Sequence, residues 1–334
     1  MKHRIRSLFF ALLLVPLFAA GLGSCSSAAP VSLLLNEGSF PSSGLYRMPA
    51  RPDKGFYWPY FLYVPQDMEP DARLLVIGPN NIVSSDLSKL EGVLRSRFTW
   101  IVPGLSEPLR APVLVPAFIR PPTRDAARDL YTHALTRATL TTSEPSLRRV
   151  DLQTLAMVDD AFVRFASQGN ALRDNRILLN GFSAAADFAQ RMAVLHPERV
   201  VSVAVGGIGA MPTLPIAALK GVDLTYPVGV ADLRQITGQG FDAAAFRKTP
   251  LLIIHGSRDN NDSIGYLDSY TTDQSHLVQQ AFGNKPINRV DRVTQVFSDF
   301  GMDRFELRVH RGVGHRATQR YYDEVVDWLR SSNQ

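Results

Sequence analysis

A single cysteine, Cys25, stands in a chain of 334 residues. It excludes an intramolecular disulfide and leaves the fold to be held by its apolar core. Beyond residue 24 no apolar run approaches the about 20 residues that a membrane-spanning helix needs. A basic run interleaved with aromatics, the mark of a nucleic-acid groove, is also missing, so nucleic acid is not an expected partner. There is no internal repeat and no low-complexity tract.

What the chain does have at its N-terminus is a basic start (Lys2, Arg4, Arg6), an apolar run from Leu8 to Ala20, and small residues before Cys25. That succession is an export signal and not part of the fold. Leu22-Gly23-Ser24-Cys25 resembles a bacterial lipobox, which implies cleavage after residue 24 and a lipid on the Cys25 thiol. An ordinary signal peptide with a stray cysteine, or an uncleaved anchor, are the alternatives. Loss of residues 1–24 lowers the formal charge of +5 by three, so the basicity of the whole chain says little about partners. The expectation is a lipid-anchored protein of the bacterial cell envelope. Ser26 is not the aspartate associated with inner-membrane retention, so the outer membrane is favoured where the source has one.

With 45% hydrophobic and 20% charged residues, the remainder has an ordinary globular composition. After a tether at 25–32, residues 33–334 are expected to form one α/β domain. Strand-like runs recur at Tyr60 to Val64, Leu74 to Ile77, Thr99 to Val102, Pro112 to Phe118, Arg176 to Leu179, Val200 to Val205, Leu251 to His255 and Phe305 to Val309. Helical patterns lie at Ser84 to Arg97, Leu152 to Ala166, Ala184 to Leu195, His276 to Phe282, Arg289 to Asp299 and Gln319 to Leu329. Alternating strands and helices imply a mostly parallel sheet covered on both faces. Residues 206–249, rich in proline and glycine turns, break the rhythm and read as a cap or specificity insertion.

Chemistry enters at Gly181-Phe182-Ser183-Ala184-Ala185, which is nearly the G-x-S-x-G elbow that lifts a serine hydroxyl above a sheet. Its last glycine is an alanine. A serine needs a histidine to take its proton and a carboxylate to orient that histidine. Asp259 begins the loop after "LLIIHGSRD", and His315 follows a Gly-Val-Gly turn before the last helix, giving the order Ser, Asp, His. Asp262 is a rival acid, less well placed relative to its strand. Ser183 as a simple helix N-cap is the bland alternative.

The segments "LLNGFSAAADFAQRMAVLHPERV", "PLLIIHGSRDNND" and "RVHRGVGH" resemble those of α/β-hydrolase-fold serine esterases, in particular the group similar to polyhydroxybutyrate depolymerases and feruloyl esterases. The resemblance implies the α/β-hydrolase fold, Ser183 as nucleophile, Asp259 as acid, His315 as base, no cofactor, and a small or polymeric ester as substrate. The alternatives are a serine peptidase on the same fold and a non-catalytic ligand-binding envelope lipoprotein.

An oxyanion needs donors in a water-poor site. One is the backbone N–H of Ala184; the other should come from the loop after the third strand, where Ile77-Gly78-Pro79-Asn80-Asn81 replaces the usual His-Gly pair. Proline donates nothing, which nominates the N–H of Asn80, with Asn81 as runner-up. Asp259-Asn260-Asn261-Asp262 lacks the glycine of a calcium loop, with Ile264 in its place, and no metal is expected. His133 reads as a surface residue, His196 and His255 as structural, and the aromatics between Phe56 and Tyr63 as sheet edge and core.

Overall fold

The computed structural model describes residue 35 and residues 40–79, 81–121 and 130–332. Cys25 and Asn80 lie outside the described residues. The central sheet has eight strands: β1 (Gly44–Met48), β2 (Tyr60–Val64), β3 (Leu75–Ile77), β4 (Val113–Pro116), β5 (Ile177–Phe182), β6 (Val200–Gly206), β7 (Leu251–Gly256) and β8 (Phe305–His310). Their spatial order is β1-β2-β4-β3-β5-β6-β7-β8. Only β2 runs against its neighbours; every other pair in the sheet is parallel. β2 to β5 are buried almost without interruption, as strands covered on both faces must be.

The two faces are distinct. On one side Ile177 and Leu179 share a core with Val158 and Phe165 of α2 (Val150–Ser167) and Phe188 and Met192 of α3 (Ala184–Leu195). Asn180, next along the strand after Leu179, turns the other way, and its amide donates to Tyr321 Oη at 2.9 Å. Tyr321 belongs to α6 (Gln319–Ser331), whose Val325, Trp328 and Leu329 are buried with it. α1 (Leu87–Ile101) starts at Asp86, whose carboxylate accepts from the N–H of Lys89, and it buries Leu90, Leu94, Phe98 and Ile101 at helical spacing. α4 (Thr272–Phe282) and α5 (Pro286–Phe300) lie between β7 and β8 in sequence. Among the described residues no helix is long and apolar enough to cross a membrane.

Two expectations need correction. Thr99 to Val102 is not a strand: α1 runs through it, continuing into a wide helical turn at Val102–Ser106. A four-residue apolar run has no periodicity of its own, and the amphipathic spacing that starts at Leu90 decides its state. The strand β1 was not anticipated; it pairs antiparallel with β2 at the sheet edge. Residues 207–250 hold a small hairpin, Ala218–Leu219 with Val222–Asp223, and two short helices. Met211, Leu214, Leu224, Tyr226 and Val228 from this stretch are buried in the core.

Candidate active site

β5 ends and α3 begins at Ser183, which has φ 62° and ψ −133°. A non-glycine residue there carries strain of about 1–3 kcal/mol, and the surrounding packing must enforce it. The N–H of Ser183 donates to Gly206 O at 3.0 Å, and its carbonyl accepts from Ala186 at 2.8 Å. The side chain makes no capping bond to the helix. Close packing explains the glycines: a Cβ on Gly181 would lie 2.0 Å from the carbonyl oxygen of Ala185. The alanine that replaces the last glycine of the elbow is accommodated by Gly78, where an added Cβ would sit 2.9 Å from the Ala185 methyl. Tyr321 fastens the strand from behind, donating to Gly181 O at 2.9 Å.

Three loops then converge. His315 Nε2 lies 2.9 Å from Ser183 Oγ, and His315 Nδ1 lies 2.9 Å from Asp259 Oδ2. A carboxylate can only accept, so Nδ1 carries the ring proton and the Nε2 lone pair faces the serine. The Phe182 ring stands against the imidazole, with centroids 5.1 Å apart. Burial opposes ionisation of Asp259, but hydrogen bonds from His315 and from the N–H of Asn261, at 2.9 Å, outweigh it and hold the carboxyl below its usual range. Asp262 faces elsewhere: both its oxygens are taken by the buried Arg289, at 2.8 and 2.7 Å.

These residues open onto a cleft of about 330 Å³ bordered by Asn81, Tyr131, Ser183, Ala184, Asn261, Tyr266 and His315. Ala184 is the first residue of α3, so its N–H has no carbonyl partner within the helix. Of residues 206–249, only Gly209 borders the cleft among the described lining. Deeper in its wall, burial raises the pKa of Asp187 despite the nearby charge of Arg191, 3.4 Å away.

His133 is buried, contrary to expectation, with Nε2 2.7 Å from Phe118 O. Burial pushes its pKa down to about 3, so the ring is neutral; it does not border the cleft. The short turn Thr132–Ala134 tucks it inward, which side-chain polarity alone does not signal. His196 bonds the buried Asp151 at 2.8 Å. Sequence reasoning passed over Tyr131 and Arg120. Arg120 lies over the Tyr131 ring at 3.5 Å and pairs with Asp268.

No protein-family model matches the chain, and a search of curated proteins finds no relative. Solved structures do match. A poly(3-hydroxybutyrate) depolymerase from Bordetella parapertussis is 17% identical with a TM-score of 0.54, covering 86% of this chain and 90% of its own. A poly(aspartic acid) hydrolase from Sphingomonas sp. KT-1 is 15% identical with a TM-score of 0.53, covering 85% and 96%. Likeness at this level speaks to architecture: the chain has the α/β-hydrolase fold.

Proposed function

We propose that the protein is a serine hydrolase that cleaves carboxylic esters through an acyl-enzyme. One observation carries the reading: Ser183, held at a strained strand-to-helix turn, faces a histidine whose other nitrogen is bonded to a buried carboxylate. Ser183 Oγ attacks the carbonyl carbon while His315 Nε2 takes its proton. The imidazolium that forms is stabilised by Asp259. Negative charge gathers on the carbonyl oxygen, which the N–H of Ala184 meets, together with the N–H of Asn80 from the loop after β3. As the tetrahedral intermediate collapses, His315 gives its proton to the departing alcohol. Water, activated by the same histidine, then releases the acid.

The names of the two structural neighbours support hydrolysis of a polymer, one a polyester and the other a poly(amino acid). Esters are favoured here on the resemblance of the three motif segments. A peptidase on the same fold is the second reading. The lipid anchor at Cys25 and a role of residues 206–249 in specificity complete the proposal.

Wild-type protein should turn over short p-nitrophenyl esters and take up a fluorophosphonate on Ser183, and Ser183→Ala should do neither. Full turnover by Ser183→Ala would overturn the mechanism. A folded wild type that neither reacts with the fluorophosphonate nor hydrolyses any ester would overturn the hydrolase reading and favour a ligand-binding one.

A further inference from the structure

The loop after β3 lacks the usual His-Gly pair, and beside the backbone N–H of Asn80 proposed above it carries a candidate donor that is not backbone. Asn81 borders the same cleft as Ser183, Ala184 and His315. Two groups grip its side chain: Tyr131 Oη at 2.7 Å and Arg120 Nη1 at 3.1 Å, both on Oδ1. A guanidinium has no acceptor, so the atom facing Arg120 must be the amide oxygen. The orientation of the amide is thereby fixed, and its NH₂ is engaged by neither group, on an exposed residue that borders the cleft. The grip is itself anchored. Arg120 is ion-paired with Asp268, with both side chains largely buried, and its backbone pairs with Ser84 on the far side of the loop. Burial, against the neighbouring charge of Arg120, raises the pKa of Tyr131, so the phenol stays protonated and can donate.

We propose that the Asn81 side-chain amide donates a hydrogen bond to the oxyanion, with Arg120 and Tyr131 as positioning residues that aim it. This rests on the Ser183 reading above and adds to it a catalytic group outside the motif segments. A donor fixed before substrate arrives costs no reorganisation as charge develops, which is what makes such groups effective. No bond to Asn81 forms or breaks; it answers charge that appears when Ser183 attacks and withdraws when the intermediate collapses.

Asn81→Asp provides the test, because it keeps Oδ1 for Tyr131 and Arg120 while removing the NH₂. The kcat for a p-nitrophenyl ester should fall about 10²–10³-fold, the loss typical of one oxyanion donor. KM should stay within about threefold, since the interaction belongs to the transition state. The inhibition constant of a trifluoromethyl ketone, whose serine adduct carries the same oxyanion, should rise in parallel with the loss of kcat/KM. Asn81→Ala should behave alike. Tyr131→Phe and Arg120→Met should lower kcat by smaller factors with KM held, a split that a merely structural role would not produce.

A kcat for Asn81→Asp within about fivefold of wild type, or ketone affinity unchanged, overturns the proposal. Ser183→Ala, run alongside, separates the cases: if it is inactive while Asn81→Asp is not, the nucleophile stands and Asn81 does not. If wild type hydrolyses no ester and ignores the ketone, both readings fall. Should Asn81→Ala not fold, Asn81→Leu, neutral and without a donor, decides, because the charge of Asn81→Asp would by itself oppose an oxyanion.

Discussion

Replacing Asp259 by Asn preserves the side chain's shape but changes which nitrogen of His315 carries a proton. In the native site Nδ1–H donates to Asp259 Oδ2 at 2.9 Å, leaving Nε2 to accept from Ser183 Oγ, also at 2.9 Å. An asparagine can turn its NH₂ toward the ring. Nδ1 then accepts, the proton moves to Nε2, and the lone pair that should take the serine proton is gone. In triads of this kind the change costs on the order of 10⁴ in kcat, roughly 5 kcal/mol of barrier at about 1.4 kcal/mol per decade. Asp262→Asn is the matched control. It breaks a two-pronged pair with Arg289, whose side chain is 2% exposed. Removing one partner of a buried pair costs roughly 3–5 kcal/mol of stability, with less lost here because the asparagine oxygen still accepts. Initial rates at saturating ester, on protein shown to be folded by its melting curve, should therefore collapse for Asp259→Asn. For Asp262→Asn they should survive in a less stable protein. An Asp259→Asn enzyme keeping more than about a tenth of wild-type kcat would refute the orienting role.

Other outcomes follow from the packing and the buried charges. Gly181→Ala, whose methyl would meet Ala185 O at 2.0 Å, should yield little soluble protein. Ala185→Gly should stay active and lose only about 0.5–1 kcal/mol by denaturant unfolding. Acid should weaken the fold through Asp259 and Asp151. For both, burial is outweighed: by His315 and Asn261 at Asp259, and by His196 and Arg149 at Asp151, so each carboxyl sits lower than in the unfolded chain. Their stabilisation is complete above the ordinary carboxylate range and drains away as pH falls through the folded values. Unfolding free energies measured from pH 7 downward should show that loss, and Asp151→Asn should flatten it; a flat profile in wild type would contradict this. Tyr321→Phe strips one partner each from Asn180 and Gly181 and should cost about 1–3 kcal/mol in a denaturant midpoint.

Strands buried on both faces and helices with one apolar stripe announce themselves in sequence, and so the parallel core and its covering helices were legible. Their ends were less so. The strand Ile177–Phe182 runs three residues beyond its apolar stretch and ends just before Ser183, because Asn180 and Gly181 are there to meet Tyr321, a partner far along the chain. Thr99 to Val102 misled for the opposite reason, its composition being outvoted by the helix preceding it. His133 looked exposed because a lone histidine carries no sign of the carbonyl that receives it. The elbow's alanine could be judged tolerable from size alone, but only the fold shows that Gly78 leaves room for it. The rivalry between Asp259 and Asp262 turns on Arg289, which lies 27 positions beyond Asp262 and had no visible tie to either.

Tyr321 and His315 have one further bearing. The bonds they make to the nucleophile and its strand span 132 and 141 positions, so the serine is synthesised long before the groups that would make it reactive. On the proposed mechanism, a chain emerging N-terminus first would lack its general base until residue 315 had been made. Docking of the final helix then adds the Tyr321 bonds that fasten the strand leading to Ser183.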